Sequence, residues 1–222
     1  DEGSERILVR LVDPRLDSDG MRKNAKPGMT DLNGLQAQVG MGHTGSTGSV
    51  SATGPQALLH ALPHLSHGPN ADLNSPARIA VVVHGQMHAS PALRDALGER
   101  GYRCKSQSNA ELLAHLIDAA YQHDPVQAVR RALDLLTGAM AVGVMFQDQP
   151  HHLIAAQAGI PLWLGDNGPT TCVTSDLACL CDQANHVIQL SDGDMVDVRH
   201  NHCSITDSQM QPVKRPLLQT DR

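Results

Sequence analysis

Ile79 to Tyr121 reads IAVVVHGQMHASPALRDALGERGYRCKSQSNAELLAHLIDAAY, and the order of signals along it decides the fold. The unbroken apolar run from Ile79 to Val83 is rich in β-branched residues and predicts a strand buried on both faces. His84-Gly85 ends that run, where glycine lets a backbone N–H come close to a ligand. Ser90-Pro91 supplies an N-cap and a first-turn proline, Leu93 and Leu97 make an apolar stripe, and Gly101 closes the helix. After an extended piece around Tyr102 to Lys105, Ser108 and Glu111 have the spacing of a capping box. Leu112, Leu113, Leu116 and Ala120 line one side of the helix that follows. The loops at His84-Gly85 and at 106–109 each end an extended piece, so both are expected at one cleft, and any chemistry with them.

The rest of the composition narrows the class. A chain of 222 residues with 41% apolar side chains buries a full core, and a single large domain over 1–212 with a polar tail over 213–222 is expected. Aromatics are only 2%, so that core is aliphatic. A formal net charge of -6 with scattered basic residues argues against a nucleic-acid partner. No apolar run approaches the roughly 20 residues that span a bilayer, and no signal peptide is visible, so no membrane partner and a cytoplasmic location are expected. The five cysteines, Cys104, Cys172, Cys179, Cys181 and Cys203, are odd in number and irregularly spaced, which fits reduced thiols. Cys179, Cys181, His200, His202 and Cys203 lack the spacing of a zinc ribbon or finger, and neither a metal nor a cofactor is expected.

On either side of the central stretch the chain is mostly strand. Glu5 to Val12 and Val39 to Thr44 read as strands, with a weak strand near Met21 and turn-rich sequence over 24–35 between them. The aspartates at Asp17 and Asp19 fail the register of a calcium loop. Gly45-Ser46-Thr47-Gly48-Ser49 is a glycine-rich loop without the Gly-Lys-Ser/Thr ending of a P-loop. His60, His64 and His67, interrupted by Pro63 and followed by Gly68-Pro69, read as solvated loop histidines. Asp124-Pro125 opens a third helix that Gly138 ends. Strands follow at 139–146, 153–157, 160–165 and 171–174, with Asp166-Asn167-Gly168 as a hairpin signal and Ser175-Asp176 capping a short helix. Segments 187–190 and 195–198 read as a pair around Ser191-Asp192-Gly193, and one more strand lies near Ser204-Ile205. Consecutive strands without regular βαβ alternation point to an α+β layered fold with largely antiparallel sheets.

Several segments carry a family resemblance: His43-Thr44, IAVVV followed by Gly85, LRDALGERGYRCKSQSNAELLAHLI, TGAMAVGVM, AAQAGIPLWLG, VTSDLACL and LSDGDMVDV. In order and spacing they resemble the glutaminase domain of glucosamine-6-phosphate synthase, a class II glutamine amidotransferase. The resemblance implies a four-layer αββα N-terminal-nucleophile hydrolase sandwich. The family's first strand and helix are unmatched here, and its sugar-phosphate isomerase half is not found before Arg222.

In that family an N-terminal cysteine attacks the glutamine amide with its own α-amino group as base, and fixed donors hold the oxyanion. No cysteine precedes Cys104 here, so the nucleophile is expected to be absent from this chain. The substrate loop is matched by Gly45, Ser46, Gly48 and Ser49. Gly45 stands where the resemblance places the arginine that grips the substrate carboxylate, a loss of roughly 2–5 kcal/mol of binding. The oxyanion Asn-Gly pair is matched by His84-Gly85, of which Gly85 keeps the backbone N–H. The aspartate for the substrate ammonium is matched by the neutral Asn109.

The expectation is therefore a degenerate, non-catalytic glutaminase-like domain. Glutamine or another small amino acid is its candidate ligand, and a sugar-phosphate isomerase domain, downstream or in trans, its candidate partner. Loss of the first strand would also leave an open slot bordered by Glu5 to Val12 or Val39 to His43, through which a homo-oligomer forms. The alternative is a fragment of an active amidotransferase that supplies ammonia for fructose-6-phosphate amination. A metal-dependent hydrolase built from the histidines has no ordered ligand motif behind it.

Overall fold

The apolar run at Ile79 does become the centre of the molecule. The computed structural model describes residues 6–12, 39–44, 63–72, 75–168, 170–180, 184–199 and 202–218. In chain order its elements are β1 (Arg6–Val12), β2 (Val39–Thr44), β3 (His64–Ser66), β4 (Ile79–His88), α1 (Pro91–Glu99), α2 (Asn109–Ala120) and α3 (Pro125–Leu133). Then come β5 (Thr137–Phe146), β6 (Gln149–Ala158), β7 (Trp163–Asp166), β8 (Thr170–Thr174), β9 (His186–Gln189), β10 (Met195–Arg199), β11 (His202–Thr206), β12 (Pro212–Val213) and β13 (Leu217–Leu218).

These strands form two sheets. One has six strands in the order β13-β9-β7-β8-β1-β2, the other seven in the order β12-β11-β10-β6-β5-β4-β3. The pairs between named strands are antiparallel throughout the described residues. The α+β class with antiparallel sheets is thus the observed one.

Side-chain alternation explains the layering. Along β4, Ile79, Val81 and Val83 pack with α2 and α3, while Val82 belongs to a second cluster with Leu164 and Val173 of the other sheet and with Leu162 just ahead of β7. Strand β6 divides in the same way, Ile154 and Ala156 toward the helices and Leu153 and Ala155 toward the facing sheet. The seven-stranded sheet is therefore covered on both faces, which is why its strands read as continuous apolar runs rather than as alternation. On the six-stranded sheet's other face, Cys172 and Val187 pack with Leu180, beyond a 3₁₀ turn at Leu177–Cys179. No helix of the described residues is long and apolar enough to cross a membrane.

Several local expectations are corrected by long-range pairing. Strand β4 does not end at His84-Gly85. It continues to His88 because β5 supplies a ladder partner at every step, from Ile79 opposite Phe146 to His88 opposite Thr137. Gly138 lies inside β5 rather than at a helix end, since α3 stops at Leu133. Segments 187–190 and 195–198 do not pair with each other: β9 joins β7 and β13, whereas β10 joins β6 and β11, so the turn at 191–193 carries the chain between sheets. His64 is a buried strand residue rather than a loop histidine, and His67 donates its Nδ1–H to the Ser75 carbonyl at 2.7 Å. Residues of the expected polar tail add β13 and part of β12, and Arg215 makes a bidentate pair with the buried Asp194 carboxylate (2.7 and 2.8 Å). Strand β1 is paired with β8 on one side and β2 on the other, and of the two expected slot borders it is β2 that lies at the edge of the sheet among the described residues. The expectations for Met21, 24–35, the 45–49 loop and His60 lie outside the described residues.

Candidate functional site

The far end of β4 and the start of α2 come together as the sequence suggested, and Met87 joins them. Asn109, the first residue of α2, donates its side-chain N–H to the Met87 carbonyl at 2.7 Å. Met87 lies two residues beyond Gly85 along β4, and His84, Gly85 and Asn109 are all half-buried.

Gly85 is glycine for two reasons. Its φ is +107°, a region disfavoured for residues with a side chain, and a Cβ would lie 2.3 Å from the Ala139 carbonyl oxygen. Gly138 repeats the arrangement from the opposite strand, with φ +116° and a Cβ position 2.3 Å from the Gln86 oxygen. Gly159 (φ +82°) closes in on Ala139 from β6's end. Thr137, Gly138, Ala139 and Gly159 are exposed. Bare backbone thus faces solvent beside Gly85, a surface suited to donors for a small polar ligand.

The loop ahead of Asn109 is held from two sides. Glu111 on α2 accepts from the backbone N–H of Lys105 (2.7 Å), the backbone N–H of Ser106 (2.7 Å) and the Ser106 hydroxyl (2.6 Å). Arg94 on α1 donates to the carbonyls of Ser106 (3.1 Å), Gln107 (3.3 Å) and Ser108 (3.4 Å). The capping box is therefore half formed. Ser108 accepts from the Ala110 N–H (3.2 Å), but its own N–H goes to the Ser106 hydroxyl rather than to Glu111. Burial alone would raise the Glu111 carboxyl, yet the Ser106 hydroxyl and the two backbone donors outweigh it and hold the group below the usual carboxylate range. Cys104, the first thiol in the chain, is pushed up chiefly by burial, which makes it a poor nucleophile.

Beneath α2 lies a polar cluster that sequence inspection missed. The Ser66 hydroxyl donates to Asp118 (2.7 Å) and meets His115 Nδ1 at 2.9 Å. Arg78 pairs with Asp118 at 3.3 Å, and His64 Nε2 lies 3.4 Å from the Ser108 hydroxyl. Burial lowers His115 most, against the raising influence of Glu111 and Asp118. The only signal available was charge on a helix that is otherwise apolar, because Ser66 stands 49 residues from His115.

Gly45, Ser46, Gly48 and Ser49 lie outside the described residues, as do Cys181 and His200. Cys179 sits in the 3₁₀ turn after β8 and Cys203 on β11 of the other sheet. Among the described residues no three His, Cys, Asp or Glu side chains are grouped so as to hold a metal.

A family model described as a glutamine amidotransferase domain matches residues 58–182. Glutamine–fructose-6-phosphate aminotransferase (isomerizing) from Thermus thermophilus is 33% identical over 187 residues, which are 84% of this chain and 29% of the relative. The protein of that name from Bordetella pertussis is 34% identical over 175 residues, 78% of this chain and 28% of its own. The chain thus spans less than a third of the length of these relatives. Among solved structures, glutamine phosphoribosylpyrophosphate amidotransferase from B. subtilis superposes with a TM-score of 0.64 at 19% identity, over 95% of this chain and 44% of that one. A glutamine aminotransferase class-II domain protein from Silicibacter pomeroyi gives 0.56 at 14% identity, over 91% and 97%.

Proposed function

Because this chain belongs to the class II glutamine amidotransferase family, we propose that it is a glutaminase-type domain, related to that of glucosamine-6-phosphate synthase, that has given up glutamine hydrolysis. The observation that carries this reading is the Asn109–Met87 hydrogen bond. The resemblance places an aspartate at this position to hold the substrate ammonium. A carboxylate has no hydrogen to give the Met87 carbonyl, so an acid here would face away from it. Asn109 instead ties α2 to β4 and leaves no charge for an ammonium group. Gly45 and His84, in place of the arginine clamp and the oxyanion asparagine, point the same way.

The domain keeps the backbone of the site while losing its charges. Gly85 still presents bare backbone, so a small neutral or amino-acid ligand remains compatible with the corner, but a glutamine zwitterion finds neither of its charged partners. The reading carries with it a fourth, helical layer over the six-stranded sheet, a cytoplasmic location, self-association through a sheet edge, and a sugar-phosphate isomerase domain in the same protein or in trans. The alternative, an active supplier of ammonia for fructose-6-phosphate amination, is favoured by the 33% identity to enzymes of that name.

Glutamate release from glutamine by the full-length natural protein decides between them. No turnover above a thiol-alkylated control, together with no calorimetric heat on adding millimolar glutamine, is expected. Alkylation-sensitive turnover would establish the alternative. Sedimentation at micromolar concentration checks self-association, which a dilution-resistant monomer would refute.

A further inference from the structure

The three-residue strand β3 sits at one edge of the seven-stranded sheet, among the described residues, and is cross-linked to α2 through histidine and serine side chains. Ser66 is fully buried, and its hydroxyl has one hydrogen, which the Asp118 carboxylate takes at 2.7 Å. His115 Nδ1, 2.9 Å from the same oxygen, must therefore be the donor. That assignment leaves the proton-free nitrogen of a neutral ring at Nε2, which is buried 3.9 Å from Glu111 Oε1. The second cross-link is His64 Nε2 to the Ser108 hydroxyl at 3.4 Å. Among the described residues, backbone pairing adds the short ladder from His64 opposite Val81 to Ser66 opposite Ile79, plus the Arg78 N–H to the Ser66 carbonyl at 2.7 Å.

We propose that β3 is an acid-released edge strand, with His115 as the group whose protonation releases it from α2 and uncovers the Ser108-Asn109 corner. Uptake of one proton from solvent at Nε2 makes the ring an imidazolium. The groups facing it are Glu111 and Asp118 from its own helix, the latter already paired with Arg78. The Tyr102 ring lies 5.4 Å away, a hydrogen bond to the Arg103 backbone favours the cation along with the carboxylates, and His67 opposes it. The two carboxylates favour the cation, but burial opposes it more strongly and depresses the ring below its ordinary range. A state in which β3 has peeled away gives the ring to water and restores that ordinary value. The closed state is thus fully favoured above about pH 6.5 and is lost as pH falls through the depressed value. Across that window the open population rises about tenfold per pH unit for the one proton taken up.

Amide exchange measured by NMR on the full chain tests this. Protection of the 64–66 amides, corrected for intrinsic exchange, should fall about tenfold per pH unit below 6.5, while β6 amides keep theirs. His115→Asn retains a donor toward Ser66 and removes the titrating nitrogen, so it should flatten this dependence. In the wild type, the His115 ring proton should titrate below 6.5, and the protection loss should start near 6.5 and level off once pH falls below that titration, an observation that stands even if the variant fails to fold. Protection at 64–66 that is independent of pH between 7.5 and 5, or an unchanged slope in a folded His115→Asn protein, would overturn the proposal.

Discussion

Replacing Glu111 with glutamine probes the loop that carries the candidate site. The carboxylate takes three donors on two oxygens: Lys105 N–H on one, Ser106 N–H and the Ser106 hydroxyl on the other. Glutamine keeps one oxygen and turns an NH2 group toward the remaining donors. In its better orientation the oxygen stays with Ser106, and the Lys105 N–H is left facing another donor. An unpaired, partly buried N–H costs about 1–3 kcal/mol, and two bonds that drop from charge-assisted to neutral lose about 1 kcal/mol each. Solvent at exposed Lys105 recovers part of this, so a net loss of about 2–3 kcal/mol is expected, or about 5–10 °C in Tm for a chain of this size. Glu111 is held below its unfolded value of 4.5. Its contribution is therefore complete above that value and disappears as pH falls through the folded one. Thermal melts of both proteins at pH 7 and pH 3.5 check the magnitude and the sign. A gap under 1 °C at neutral pH, or one that does not narrow in acid, would show that this carboxylate does not hold the loop.

Gly85→Ala should cost about 3 kcal/mol or prevent folding, since a Cβ there meets a backbone oxygen at 2.3 Å in a left-handed backbone, whereas Gly98→Ala, with nothing within 4 Å, should stabilise α1 by about 0.5–1 kcal/mol; urea unfolding compares them. Arg215→Met should lower the urea midpoint and hasten proteolysis beyond residue 211, because it leaves the buried Asp194 carboxylate with the Ser191 N–H alone; unchanged proteolysis would show that the pair does not anchor β12 and β13. Burial would raise Asp197, but hydrogen bonds from His152 and Arg199 hold it below the usual range. Asp197→Asn should therefore destabilise at neutral pH, and the difference should fade as pH falls through the depressed value in melts run from pH 7 to 3.

The sequence by itself determined whatever a few neighbouring residues decide. The β-branched run at Ile79 meant a strand, Ser90-Pro91 and Asp124-Pro125 set helix starts, and Val39–Thr44 was bounded to the residue, because caps, turns and periodicity act within one or two turns of chain. The motif order from His43-Thr44 to LSDGDMVDV carried the family for the same reason, since it needs only spacing. Tertiary structure decided where each polar group finds its partner. Glu111 has capping-box spacing, but Arg94 draws the 106–108 carbonyls toward α1, turning the Lys105 and Ser106 N–H groups onto the carboxylate. Strand β4 outlasts its apolar run because β5, some 50 residues on, pairs with it to His88. Asn109 is a turn residue by spacing and a helix-to-strand tie by contact, and His64 is a buried strand residue opposite Val81 and within reach of Ser108. The Asn109–Met87, His64–Ser108 and Ser66–Asp118 contacts join residues 22, 44 and 52 positions apart, and no local signal encodes them: they follow from the desolvation cost of the polar groups that the apolar cores enclose.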